Sequence, residues 1–349
     1  MRSRAVLGSV LAIIGVLLMG AAAILHYVVV PRQSKLPSDT DETRHYAGTA
    51  NVLVNPQALA AGDRARGILT GVPVNATQVV QVVASTGSAA QVTDKRSLST
   101  ANGQAIGATS NTYAVERRSL EATGSHPSDW TVTPAEGLTV SFPIPSKKQN
   151  YTGWVPETQT TTQLTYTREE TVGGINTFVY QATVNPTPIK DKQVLGVLPP
   201  ALPVTVLQTL PIPDQLKAPL AQALPRLGNP VQLAYTYSNT ATYWIEPTSG
   251  RVVEVQQDEK RQAGLAALSS VPGIPVYDVT TQTTQASIND AVNLAKHDSS
   301  RIHNYGRTLP IILGAIGVVL LIGGILLAVS SRRRPPAVPP TATATPATE

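Results

Sequence analysis

Two apolar runs, Ala5 to Val30 and Leu309 to Val329, frame a long middle segment in which apolar and polar residues repeatedly alternate with a period of two. Neither run contains Asp, Glu, Lys or Arg. A helix rises about 1.5 Å per residue and a hydrocarbon core is about 30 Å thick, so about 20 apolar residues span it. Both runs are long enough. Arg2 and Arg4 precede the first and Arg332, Arg333 and Arg334 follow the second. Cytoplasmic flanks carry the excess of basic residues, so both termini are expected inside a plasma membrane and the middle outside it. The predicted organisation is a cytoplasmic N-terminus (1–4), a transmembrane helix (5–30), an extracytoplasmic β-rich domain (32–308), a second transmembrane helix (309–329) and a disordered Pro/Thr/Ala-rich cytoplasmic tail (330–349). A cleaved signal peptide ending near Ala21 to Ala23 is the alternative for the first run. Ile24 to Val30 argue against it by keeping the run apolar past the small residues.

Within the middle segment the alternation predicts strands over 78–83, 139–142, 158–167, 177–184, 231–237, 242–245, 251–255 and 277–282. Glu169 to Gly174 reads as a turn. So does Glu246-Pro247-Thr248-Ser249-Gly250, where Pro presets φ at the entry and Gly tolerates positive φ at the exit. Strands in hairpin order imply an antiparallel, barrel-like, mainly β domain with few short helices between two transmembrane helices. One short helix is expected after Asn55-Pro56. Another, over 287–305, carries a capping box at Ser287 and Asp290 and an apolar face of Ile288, Ala291, Val292, Ala295 and Ile302; it reads as a stalk leading into the second span.

Charge changes the picture little. Of 27 basic residues five lie in the predicted tails, and of 22 acidic residues one is Glu349, so the middle segment carries only +1. The basicity belongs to membrane topology, and no nucleic-acid partner is implied. The absence of cysteine removes disulfides, thiolate metal sites and a Cys nucleophile.

Catalytic chemistry finds no motif: the chain has no Gly-x-Ser-x-Gly, no Ser-x-x-Lys, no phosphate-binding glycine loop and no His pair at helical spacing. No catalytic residue, cofactor or metal is therefore assigned. Asp39, Asp41 and Glu42 read as a solvated acidic turn rather than a cation site, and Glu169-Glu170 as turn solvation rather than an acid/base pair. The conspicuous feature is Gln193 to Pro213, uncharged, rich in Leu and Val, and broken by five prolines. It reads either as an irregular cap over the core or as the lid of an apolar cavity, with Leu198, Leu207 and Leu220 as candidate ligand contacts. Tyr151, Trp154 and Trp244 are candidates for an aromatic contact surface, against the alternative that both tryptophans are core residues. Gly8 with Ala12, and Gly324 with Ala328, are small-residue pairs that allow the two spans to pack closely.

Several stretches together resemble an actinobacterial family of two-span envelope proteins labelled the PorA family. They are Lys35 to Asp41, Phe142-Pro143-Ile144, Lys147 to Trp154, Gly174 to Tyr180 and Tyr243 to Gly250. The resemblance implies a mycolate-type envelope and an association with its lipids and lipoglycans; it supplies no catalytic residues. A weaker architectural likeness is to the scavenger receptor family, with two spans and an outer β domain that holds a lipid tunnel. The expected function is thus a non-enzymatic, membrane-anchored envelope protein that binds or guides a lipid or lipid-linked glycan, with membrane lipids as partners. The alternatives are a scaffold for envelope polymer-assembling enzymes and, third, a channel. A transmembrane barrel needs lipid-facing apolar strands of about 9–11 residues, and the strands here are rich in Thr and Gln.

Overall fold

The alternation resolves into one large antiparallel sheet in the computed structural model, which describes residues 2–29, 35–55, 58, 63, 67–208, 214–226, 228–266 and 273–332. The chain divides into two units, Ser34–Ser300 and the terminal segments Met1–Gln33 with Arg301–Glu349.

In the first unit the strands are β1 (Asp41–Val54), β2 (Ile68–Leu69), β3 (Val72–Ser85), β4 (Ala89–Thr100), β5 (Ala105–Glu116), β6 (Tyr151–Val155), β7 (Thr160–Val172), β8 (Ile175–Pro188), β9 (Ala201–Leu202), β10 (Val231–Ile245), β11 (Val252–Leu265) and β12 (Ile274–Thr283). Their order is β5-β4-β3-β1-β12-β11-β10-β8-β7-β6, with β2 on β1 and β9 on β10. Neighbours run antiparallel and the sheet curls into a half-barrel. Strand twist curls a sheet of this width, and the apolar faces then meet inside it.

The two edges, β5 and β6, are joined by single-residue bridges rather than by a ladder: Val115 to Ala122, Glu121 to Leu138, and Leu138 to Gly153. A helical turn, α1 of this unit (Lys192–Leu195), secures another part of the β5 edge. The Gln193 amide accepts from Ser110 N (2.9 Å) and donates to Ser110 O (3.1 Å), mimicking a neighbouring strand.

Several expectations change. Residues 231–237 and 242–245 form one strand, β10, and its hairpin with β11 crosses the predicted turn. Glu246 accepts from Thr248 N and Ser249 N, and Gly250 has φ +68°. Thr139 to Phe142 is no strand. The segment is tied to that hairpin instead: Ser141 Oγ donates to Gly250 O (3.1 Å), and just beyond it Ser146 N donates to Pro247 O (2.7 Å). The predicted turn at 169–174 shrinks to Gly173-Gly174, whose φ values of +56° and +77° suit a two-residue hairpin. Glu169 and Glu170 therefore lie within β7, exposed, and pair with Lys148 and Arg168. The helix expected after Asn55-Pro56 lies mostly outside the described residues.

Two further short helices, α2 (Val204–Leu207) and α3 (Asp214–Ala223), flank β9 and β10. Helix α4 (Gln285–His303) starts two residues before the expected capping box, with Thr284 O accepting from Ile288 N (2.9 Å). Ser287 Oγ instead accepts from His45 N (2.9 Å). Ile288 and Val292 pack on Val253, Val172 and Ile175, and Arg251 pairs with Asp298 at 2.7 Å. The first four turns are thus docked on the sheet, not a free stalk.

In the second unit, α5 (Leu309–Arg332) packs along the N-terminal helix (Arg2–Ile24). A Cβ on Gly8 would lie 2.7 Å from Gly324 O, and one on Gly15 2.6 Å from Gly317 O. Only glycine permits this approach, as the small-residue pairs implied. Both helices are long and apolar enough to cross a membrane.

Candidate functional site

Alternation sends every second side chain of a strand to the concave face of the half-barrel. There the walls enclose a cavity of about 410 Å³. Leu53, Leu98, Val140, Phe142, Leu164 and Leu198 supply apolar wall. Gln104 just before β5, Ala105, Gly107 and Ala108 on β5, Gln193 in α1 and Val197 after it also line the cavity and are exposed, which marks its mouth.

A polar belt crosses the same face. Arg44 (β1), Gln78 (β3) and Arg96 (β4) occupy one cross-strand row. Tyr237 (β10), Arg261 (β11) and Tyr277 (β12) occupy another. Arg44 Nε donates to Glu42 at 3.0 Å, and Glu42 also meets Arg251 at 3.1 Å. Burial pushes the Glu42 carboxyl up, but Arg44 and Arg251 outweigh it and hold the group below its ordinary value. Arg96 rests on Asp94 (3.0 and 3.1 Å), whose charge stabilises the guanidinium further. Gln78 donates to Asp94 (2.9 Å) and accepts from the Tyr46 hydroxyl (3.0 Å). Although deep in the concavity, 41% of the Arg96 side chain is open to water, because it faces the cavity.

Glu259 accepts from the Tyr237 hydroxyl at 2.8 Å. Arg261 lies 4.4 Å over the Tyr277 ring, a cation–π contact. Burial pushes the Tyr237 hydroxyl well up and that of Tyr243 up to about 12, so both remain protonated donors. Glu157, from the turn between β6 and β7, is only 9% exposed and lines the cavity. Its carboxyl is pushed up by burial and by the charge of Glu259, against the pull of Arg96 and Arg261.

Of the residues chosen from sequence, Leu198 and Trp154 line this cavity. Leu207 and Leu220 do not: they are buried with Val231, Leu265 and Ile274 in a separate cluster. Tyr151 packs beside Phe142 and Tyr180, with ring centroids 5.9 and 5.7 Å away. Trp244 is 5% exposed and alternates to the face opposite Tyr243. The aromatic trio therefore forms no common surface. Glu42 was read as part of a solvated turn; it is a half-buried ion-pair hub between Arg44 and Arg251. Sequence reasoning missed the polar belt entirely. Its signal is opposite charges two residues apart inside strands: Glu42 and Arg44, Asp94 and Arg96, Glu259 and Arg261. No cluster of His, Asp and Glu suited to a metal occurs among the described residues.

No curated protein matches the chain. Among solved structures, an acyl-CoA thioesterase II, TesB2 from Mycobacterium marinum, aligns at 12% identity over 70% of this chain and 81% of that chain. Its TM-score is 0.12, too low to bear on fold or function. A family profile described as Porin PorA matches residues 7–326.

Proposed function

The chain belongs to the Porin PorA family and is a membrane protein with a β-rich unit; from that premise we propose that the β unit binds a lipid or lipid-linked glycan in its concave cavity. In this reading both spans anchor the protein in the plasma membrane, the termini are cytoplasmic, and the β unit faces outward. The observation that carries it is the cavity itself. At about 410 Å³ it falls within the range of small-molecule sites, about 300–1,000 Å³. Its exposed rim of Val197, Ala105, Gly107 and Ala108 gives an apolar chain a path in.

The porin description favours a second reading, conduction through the β unit. Against it, the only large apolar side chains exposed among the described residues 35–300 are Val83, Val197 and Leu294. A barrel wall in lipid carries a continuous apolar band about 25 Å tall. The half-barrel has none, so its outer face suits water.

The test is native mass spectrometry with lipid extraction on the detergent-purified full chain and on Leu198→Asp. A defined lipid retained by the parent and lost from the variant, with unchanged circular dichroism, supports binding. An empty parent protein that conducts in planar bilayers would replace it with the channel reading.

A further inference from the structure

The walls of the cavity also constrain what its ligand carries at the polar end, an inference that rests on the binding reading above. The charges facing the cavity are Arg44, Arg96 and Arg261 with Glu157 and Glu259. Two of these arginines are already neutralised from behind, Arg44 by Glu42 and Arg96 by Asp94. Arg261 is left with both Glu157 and Glu259 for company. The belt therefore has no surplus positive charge, whether Glu157 is protonated or not.

Hydrogen bonding narrows the choice. Glu259 is satisfied by the Tyr237 hydroxyl. Glu157 is over nine-tenths buried and lines the cavity, and its carboxyl is met by its own backbone N–H. A carboxylate has about four acceptor positions, so a ligand that donates to Glu157 adds a charge-assisted hydrogen bond to that one. Arg96 meanwhile offers donors to the same space, with 41% of its side chain open. Two further wall atoms, Asn239 Oδ1 and Thr281 Oγ1, are buried without partners.

A phosphate only accepts hydrogen bonds and would face the Glu157 carboxyl with like charge. An ammonium only donates and would face Arg96 and Arg261. A hydroxyl does both, and neighbouring hydroxyls match the planar forks of guanidinium and carboxyl groups. Trp154 and Tyr243 add flat apolar faces in the same wall. We propose that the polar belt is a subsite for a neutral, polyhydroxylated headgroup, a sugar or polyol ring. Glu157 and Arg96 bind it from opposite senses of donation, and the apolar chain leaves past Leu198 and Val197.

The test uses four probes sharing one eight-carbon chain: octyl glucoside, octyl phosphate, octylammonium and octanol. The full chain in amphipol is incubated with equal concentrations of each, and bound molecules are counted by native mass spectrometry. The expected result is about tenfold stronger retention of octyl glucoside than of the other three, the effect of a hydrogen bond to a charged group. Glu157→Gln, whose amide oxygen still accepts, keeps the preference. Glu157→Leu reduces octyl glucoside to the octanol level, and Asn239→Leu, a lesion on β10, weakens the preference independently if Glu157→Leu fails to fold. Tightest binding of the phosphate or the ammonium overturns the headgroup assignment and leaves the cavity reading intact. So does a preference unmoved by either lesion that folds. Failure to retain any probe, octanol included, overturns the cavity reading itself.

Discussion

Leu207 and Leu198 stand nine residues apart in one Pro- and Leu-rich segment, yet their truncation to alanine should have different consequences. Leu207 is fully buried, with Leu220, Val231, Leu265 and Ile274 in its cluster. Removing its branched end forfeits burial and leaves a void that backbone-fixed neighbours cannot close, about 3–4 kcal/mol. For a unit of this size that lowers the thermal midpoint by about 6–16 °C. Leu198 already borders open space, so its truncation enlarges an existing cavity and creates no new one. Its cost is a partial transfer term, about 1 kcal/mol, or about 2–4 °C. The assay is paired: a circular dichroism melt of the full chain in one detergent, and lipid extraction from the same preparation. Leu207→Ala should shift the midpoint and keep its lipid content per folded molecule. Leu198→Ala should hardly move the midpoint and change the lipid retained. The assignment of these residues to core and site is refuted if Leu207→Ala strips lipid at an unchanged midpoint, or if the two midpoints fall equally.

Gly250 and Gly174 share a positive φ, but a Cβ on Gly250 would lie 2.5 Å from Phe142 O and 2.6 Å from Pro143 O, while Gly174 has open space around it. Gly174→Ala should therefore cost about 1 kcal/mol of backbone strain, and Gly250→Ala about 3 kcal/mol as residues 139–146 shift and lose hydrogen bonds; equal melting shifts would count against this packing. Glu157 titrates above its ordinary value in the folded chain, so the folded state binds the extra proton and stability falls as pH rises through the window above 4.5. Glu157→Gln should raise the midpoint at neutral pH and flatten its pH dependence there, and a lowered neutral midpoint contradicts the reading. Glu42 behaves oppositely: its depressed value contributes stability above 4.5 that is lost as pH falls through the folded value, so Glu42→Gln should destabilise at neutral pH and matter little in acid, checked by melts across pH. Gly8→Leu should separate the terminal helices, because its side chain meets Gly324 O and Ala328 N; a cysteine pair placed across that contact should then crosslink in the parent background and fail to in the variant.

Much of the architecture was legible in local chemistry. Period-two alternation announces strands because side chains on a pleated backbone point to opposite faces, and Glu246 to Gly250 closes a hairpin through its own carboxylate and its glycine. Thr139 to Phe142 alternates equally well yet forms no strand; it is tied through Ser141 to a hairpin about a hundred residues later. Leu198, Leu207 and Leu220 look alike as apolar residues near prolines, and only the fold separates the first, at the cavity, from the other two, in a core cluster. The polar belt was hidden for the same reason: each oppositely charged pair reads as ordinary strand surface until curling places Arg44, Arg96, Glu157, Glu259 and Arg261 around one space. Two spans of sufficient length, an antiparallel β unit between them, and glycines at which the terminal helices approach can be read directly from the chain, since these follow from hydropathy, alternation and side-chain size taken a few residues at a time. Which alternating face is concave, where the cavity lies and which charges line it emerge only on folding, because curvature brings together residues whose separation along the chain carries no trace of their contact.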